Sequence, residues 1–186
     1  MAEGSWEKME NWVEILEVLN RRVNLVSLQE IPRIWSRHLL PCLSLLKLRD
    51  IPFGIEFCDF GSGGGFPGIP LAICRPDLRM VLLDARRRKC DALEEMTEAL
   101  GLENVEVVQS RVEDFKPARR FDCVITRAFA TAGDTVRGSG HLIAPGGRFV
   151  LMKGRDPAAE MDDLPLDFRH VETVAVTVPG LGAERH

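Results

Sequence analysis

What the chain lacks narrows it first. No apolar run in its 186 residues is long enough to cross a bilayer, because each is cut by a charge or a proline. No basic stretch leads into an apolar one at the start. Trp6 and early glutamates stand there, so the segment reads as the beginning of a helix rather than a secretion signal. The five cysteines, Cys42, Cys58, Cys74, Cys90 and Cys123, contain no C-x-x-C pair. An odd count without metal-ligand spacing points to reduced thiols in a cytoplasmic protein and to no metal site. Positive charge is not in excess either. With a net charge of −4, any nucleic-acid contact must come from local patches. Repeats, linkers and low-complexity segments are absent, and no His–acid or Cys–His constellation stands out for nucleophilic catalysis.

What is present is the balance of an ordinary globular domain, 45% apolar and 28% charged, spanning 1–186 as one unit. Local basic groups do occur. The run Arg86, Arg87, Arg88, Lys89 is the densest, with smaller groups at Arg21–Arg22, Arg33–Arg37–His38, Arg119–Arg120 and Lys153–Arg155. Each alone reads as well as a solvated face as an RNA contact.

Residues 1–50 predict a helical extension. Trp6, Met9, Val13, Leu16 and Leu19 recur at helical spacing after a Ser5 cap, and Trp12 and Val18 widen the apolar face. Pro32 is placed to open a second helix, which Pro41 should kink or end, with the apolar run beyond resuming it. Residues 55–186 alternate. Strands are expected at Ile55–Phe60, Met80–Asp84, Val105–Gln109, Asp122–Thr126 and Arg148–Lys153. Helices are expected at Ile69–Cys74, Arg86–Leu100 and Thr131–Ile143, with a turn at Pro145-Gly146-Gly147. The tail suggests a helix near Ala158–Leu164 and a strand near Val171–Val178. Repeated β-α-β units mean an α/β fold, a doubly wound, mainly parallel sheet with helices on both faces.

The most informative segment is Asp59-Phe60-Gly61-Ser62-Gly63-Gly64-Gly65-Phe66-Pro67-Gly68, between a strand and a helix. In open α/β sheets that position is the ligand crevice. Glycines let the backbone approach a ligand closely, and the helix start offers free N–H groups to an anionic moiety. A plain turn is the alternative. The dinucleotide pattern G-x-G-x-x-G fails, because its third glycine falls on Phe66. The arrangement Asp-x-Gly-x-Gly suits S-adenosylmethionine instead, with Gly61 and Gly63 as cofactor-binding residues, Asp59 near the ammonium and loop amides near the carboxylate. Asp84 ends the next strand, where an acid meets ribose hydroxyls. Val112 and Glu113 follow the third strand, where they bracket an adenine.

With these residues in view, the chain from about Asn20 to His186 resembles the bacterial small-subunit (16S) ribosomal RNA guanine-N7 methyltransferases, the glucose-inhibited division protein B family. The resemblance rests on Asn24-Leu25-Val26-Ser27, Arg37-His38-Leu39-Leu40, Gly65-Phe66-Pro67-Gly68-Ile69-Pro70-Leu71, Gln109-Ser110-Arg111-Val112-Glu113 and Thr126-Arg127-Ala128-Phe129-Ala130, with Lys153-Gly154. It implies a Rossmann-like sheet of the seven-stranded type. It also implies cofactor contacts at Gly61, Phe66, Val112, Glu113 and Arg127, with Asp84 at the ribose. Arg127 and Lys153 are then expected beside the methyl-transfer site. S-adenosylmethionine is the implied cofactor, leaving as S-adenosylhomocysteine, and a guanosine of ribosomal RNA in the small subunit is the implied substrate.

Two departures stand out. Pro41-Cys42 occupies the place of an Asp-Ser common in the family, and the apolar strand that follows Glu-Arg-His elsewhere is missing here. The resemblance therefore leaves Val171–Val178 short of a partner strand.

Nitrogen 7 of guanine has a lone pair and no proton, so its methylation needs no general base, only in-line positioning. Arg127 reads as a positioner or as one half of a structural ion pair, and His38 as a site residue or a structural histidine. The protein is expected to act as a monomer, without metal or membrane. A methyltransferase for another RNA, a protein or a small molecule stays open, as do a nicotinamide-dependent oxidoreductase and a non-catalytic RNA-binding or nucleotide-sensing module.

Overall fold

Five short runs of apolar residues become five parallel strands in the computed structural model, which describes residues 3–47, 51–127 and 130–178. They are β1 (Glu56–Phe60), β2 (Arg79–Asp84), β3 (Val105–Gln109), β4 (Phe121–Arg127) and β5 (Ile143–Met152), ordered β3-β2-β1-β4-β5. The helices are α1 (Ser5–Asn20), α2 (Leu40–Ser44), α3 (Gly68–Cys74), α4 (Arg87–Ala99) and α5 (Ala132–Ser139). The central strands are buried almost throughout, as a parallel sheet covered on both faces requires. The order reverses at β1, which pairs with β2 on one side and β4 on the other. That reversal opens a crevice beyond the carboxyl ends of β1 and β4.

Side chains alternate across β1 and build two cores. Phe57 joins α1, α3 and α4 through Met9, Trp12, Leu16, Ile69, Leu93 and Met96. Cys58 and Phe60 face the other side with Val81, Leu83, Val124 and Leu142. Asp59 shares the first face with Phe57, so its carboxyl points under the N-terminal extension.

Several local expectations are corrected. Ser5 is no cap: Gly4, at φ 73°, takes that place, and the Ser5 hydroxyl donates to the Ile73 carbonyl at 3.2 Å. Met9, Trp12, Val13, Leu16 and Leu19 are buried, but Val18 is exposed because it lies half a turn round from Met9. Trp6 is half exposed and packs on Trp35, ring centres 5.1 Å apart. Pro32 does open a helical turn, Ile31–Arg33. Pro41 neither ends nor sharply interrupts the second helix. A π-helical stretch, Trp35–Leu39, precedes it, and Leu40 donates to the Trp35 carbonyl five residues back. The widened turn makes room for a ring that otherwise crowds the preceding turn.

Further along, α5 starts on a true cap, the Thr131 hydroxyl accepting from the Asp134 amide, and stops at Ser139 before a single 3-10 turn. The Pro145-Gly146-Gly147 segment is not a turn between elements. Phe121 pairs with Ile143 and Cys123 already with Arg148, so the glycines form a bulge inside β5. In the tail, Ala158–Asp163 is a 3-10 helix, and Val171–Val178 forms no strand beyond a single bridge residue at Val176. Val171 and Val174 are exposed, which is what a strand sequence does without a neighbour to pair with.

Candidate active site

The glycine loop is fastened to β2 before it reaches α3. The amides of Gly61 and Ser62 both donate to the Leu83 carbonyl, at 2.7 and 3.2 Å. Gly61 and Gly63 hold φ of 71° and 58°, a region closed to most side chains. Asp84 braces the loop from the next strand: its two oxygens accept from the amides of Gly63, at 3.0 Å, and Arg86, at 2.9 Å. Val112 is buried just past β3, and Glu113 beside it is exposed.

Asp59 lies at the base of the loop and is fully buried. Oδ2 accepts from the Gly68 amide at 2.9 Å, while Oδ1 has no partner among the described residues. Burial pushes this carboxyl up to about 7, against the opposing pull of the Gly68 amide, the Arg127 guanidinium and Ser62. Gly68 is required here by close approach. A Cβ there would stand 2.8 Å from Asp59 Oδ2 and would also run into the Leu82 side chain.

At the far end of the loop stands Arg127, the last residue of β4. Its guanidinium carbon lies 4.9 Å from the centre of the Phe66 ring, and Nη1 donates to His38 Nδ1 at 2.8 Å. Phe66 is itself buried, with Trp12 at 4.7 Å and His38 at 5.1 Å between ring centres. Among the described residues no carboxylate pairs with Arg127, so the structural ion pair left open by the sequence is not what holds it. His38 is held below its ordinary value, first by burial and then by the Arg127 charge, while Glu30 opposes the shift.

The expected site residues therefore gather in two groups about the glycine loop, Asp59, Gly61, Gly63 and Asp84 at its start and His38, Phe66 and Arg127 at its far end. Lys153 is separately engaged: its amine pairs with Glu160 and donates to the Ala130 carbonyl, both at 2.7 Å. Ala128 and Phe129 of the Thr-Arg-Ala-Phe-Ala run lie outside the described residues.

Two basic groups that are far apart in sequence become neighbours. Arg88 donates to the Arg22 carbonyl at 2.7 Å, and Lys89 Nζ lies 3.5 Å from where a Cβ on Gly63 would stand. Glu30 was not singled out by sequence. It accepts from Arg37 at 2.9 Å and sits 3.1 Å from His38 Nε2, and the only trace of this is its spacing two helical turns ahead of both.

Among the cysteines, Cys90 touches this geometry, its thiol donating to the Asp84 backbone carbonyl at 3.3 Å. All five are buried and free, and burial raises their thiols, to about 12 for Cys42 and Cys123. The described residues contain no cluster of three or more potential metal ligands, and none of their helices is long and apolar enough to cross a membrane.

Comparison with known proteins gives the family and the fold. The family described as rRNA small subunit methyltransferase G matches residues 5–186. The chain belongs to this family. Ribosomal RNA small subunit methyltransferase G of Laribacter hongkongensis is 44% identical over 176 residues, covering 95% of this chain and 84% of that protein. The protein of the same name from Chromobacterium violaceum is 41% identical, covering 100% and 88%. Among solved structures, TrmN from Thermus thermophilus aligns at a TM-score of 0.62 and 24% identity, over 83% of this chain and 50% of that one. Coclaurine N-methyltransferase bound to N-methylheliamine and SAH aligns at 0.53 and 19%, over 60% of this chain and 34% of that one. The chain spans half the length of the first structure and a third of the second, and both likenesses concern the fold. As a member of the family the chain is a methyltransferase with a Rossmann-like parallel sheet.

Proposed function

We propose that this methyltransferase transfers the methyl group of S-adenosylmethionine to nitrogen 7 of a guanosine in 16S ribosomal RNA, acting as a cytoplasmic monomer on the small subunit. The observation that carries the reading is the state of Arg127. It stands at the end of β4 against Phe66 of the glycine loop, held by an imidazole and an aromatic face, with no described carboxylate in direct ion-pair contact and the buried Asp59 carboxyl near enough to feel its charge.

The residues present fit the cofactor. Asp59 Oδ1 is buried beside the loop and has no partner among the described residues, the feature a ligand ammonium would satisfy directly or through water. The positive-φ glycines leave room for backbone approach, and Asp84 keeps lone pairs for ribose hydroxyls after accepting its two amides. Val112 and Glu113 flank the adenine, and Phe66 lines the floor beneath Arg127. Sulfonium methyl donors supply an already activated carbon. When bound, the cofactor would supply a methyl whose S–C bond breaks as the N7–C bond forms, the positive charge passing from sulfur to the guanine ring.

The protein's part is to hold the base in line and exclude other geometries, which is worth roughly 7–11 kcal/mol when alignment is good. Arg127 donates to the guanine O6 edge or a neighbouring phosphate and leaves nitrogen 7 free. His38 keeps Arg127 in place, and Lys153 ties the Ala130 carbonyl to Glu160. Arg88 and Lys89, beside the loop, steer phosphate toward it, while Arg22 is engaged by Glu95 at 2.8 Å.

The test is transfer of labelled methyl to small ribosomal subunits, followed by nuclease digestion of the RNA. Labelled 7-methylguanosine is the expected product. A different labelled nucleoside, or none from protein that binds S-adenosylhomocysteine, overturns the assignment.

A further inference from the structure

The second group of site residues has a partner that neither the motif reading nor the family description assigns. We propose that Glu30 is a positioning residue: it accepts the Nε2–H of His38, fixes the imidazole in the tautomer whose Nδ1 accepts from Arg127, and so sets the guanidinium that meets the substrate. This rests on the role given above to Arg127.

The argument follows from donor and acceptor capacity. A guanidinium has five donors and no acceptor, so a 2.8 Å contact from Arg127 Nη1 requires an unprotonated Nδ1 on His38. The imidazole proton then sits on Nε2, 3.1 Å from Glu30 Oε2. Glu30 is itself anchored through its other oxygen, which accepts from Arg37 at 2.9 Å. Partial burial works against ionisation of Glu30, but the hydrogen bonds from Arg37 and His38 outweigh it and hold the carboxyl below its ordinary value. The charged groups facing His38 are Glu30, Arg37 and Arg127, and the Phe66 ring closes the remaining side.

Without Glu30 nothing described holds the proton on Nε2. The alternative tautomer carries its proton on Nδ1 and sets two donors against each other, which turns the guanidinium away. Protonation of His38 does the same. Transfer therefore falls as pH drops through the folded value of His38, which lies below the ordinary 6.5.

The experiment compares wild type, Glu30→Gln and Glu30→Ala by nitrogen-15 histidine NMR and by methyl transfer to small subunits across pH. A glutamine carbonyl can still accept Nε2–H, whereas alanine cannot. The wild type and Glu30→Gln should show the Nε2–H tautomer, and Glu30→Ala a mixture. Glu30→Ala should lower kcat about tenfold, the worth of one net hydrogen bond, with affinity for S-adenosylhomocysteine unchanged. Glu30→Gln should recover most of the rate and move the acid limb down by roughly half a pH unit, as loss of a partly exposed charge partner implies. A single tautomer with unchanged kcat in Glu30→Ala overturns the proposal, as does an unmoved acid limb in Glu30→Gln. If Glu30→Ala does not fold, that acid limb decides alone. Failure of the wild type to methylate ribosomal RNA retires the substrate reading, while the tautomer spectra still judge Glu30.

Discussion

Asparagine at position 59 should make the cofactor-free protein more stable above neutral pH and poorer at binding its cofactor. Asp59 is fully buried, and its folded value of about 7 lies well above the ordinary 3.8. Between those values the unfolded chain is ionised there while the native state still holds the proton, so stability falls as pH rises from about 4 to 7 and then levels off. The full penalty is about 4 kcal/mol at 1.36 kcal/mol per pH unit. Asparagine keeps the acceptor for the Gly68 amide and carries no charge, but it leaves a buried amide nitrogen without a partner, at about 1–3 kcal/mol. The net gain at pH 8 is then about 1–3 kcal/mol, or roughly 2–10 °C in Tm. The pH dependence is the sharper quantity. Relative to Asp59→Asn, the wild type should lose about 3 kcal/mol between pH 5 and pH 8. Urea unfolding of both proteins at pH 5, 6.5 and 8 measures this directly, because the other ionisable groups cancel in the difference. Calorimetric titration with S-adenosylhomocysteine should show at least a tenfold loss of affinity, the cost of removing one charge-assisted contact. A stability difference that is the same at pH 5 and pH 8 would refute the reasoning about the buried charge.

Three further outcomes follow from the same geometry. Gly68→Ala places a methyl against Asp59 Oδ2 and Leu82, and should destabilise by about 1–3 kcal/mol in urea melts. Wild-type stability in that variant would mean that α3 can slide away from β2. Arg127→Ala should lower kcat by ~10²-fold in single-turnover methyl transfer to small subunits. The five thiols should resist an aromatic disulfide reagent in the native protein and all react on unfolding, as their burial and raised values require. Rapid native labelling of Cys42 or Cys90 would contradict their packing.

Much of the fold and of the candidate site was legible from local chemistry. The strand-glycine-helix junction, the acids at 59 and 84, and the alternation of strands and helices are short-range signals, each set within a dozen residues. The tail misled for the same reason. Val171–Val178 has strand composition, but a strand exists only where another offers its hydrogen bonds, and here only Val176 finds one. Pro145-Gly146-Gly147 has turn composition, yet β5 already pairs through Ile143, so the segment became a bulge. Glu30 was invisible because glutamate in a polar turn carries no signal until its partners are known.

The chain by itself determined the class of fold, the position of the glycine loop and the family, because periodicity, glycine placement and motif wording are properties of contiguous residues. Tertiary structure alone decided that Asp59 keeps an unpartnered oxygen, that Arg127 reaches His38 across 89 positions of sequence, and that Glu30 completes their line. Those facts depend on burial and on directional contacts between distant elements, which come into being only when the N-terminal helices close over the end of the sheet.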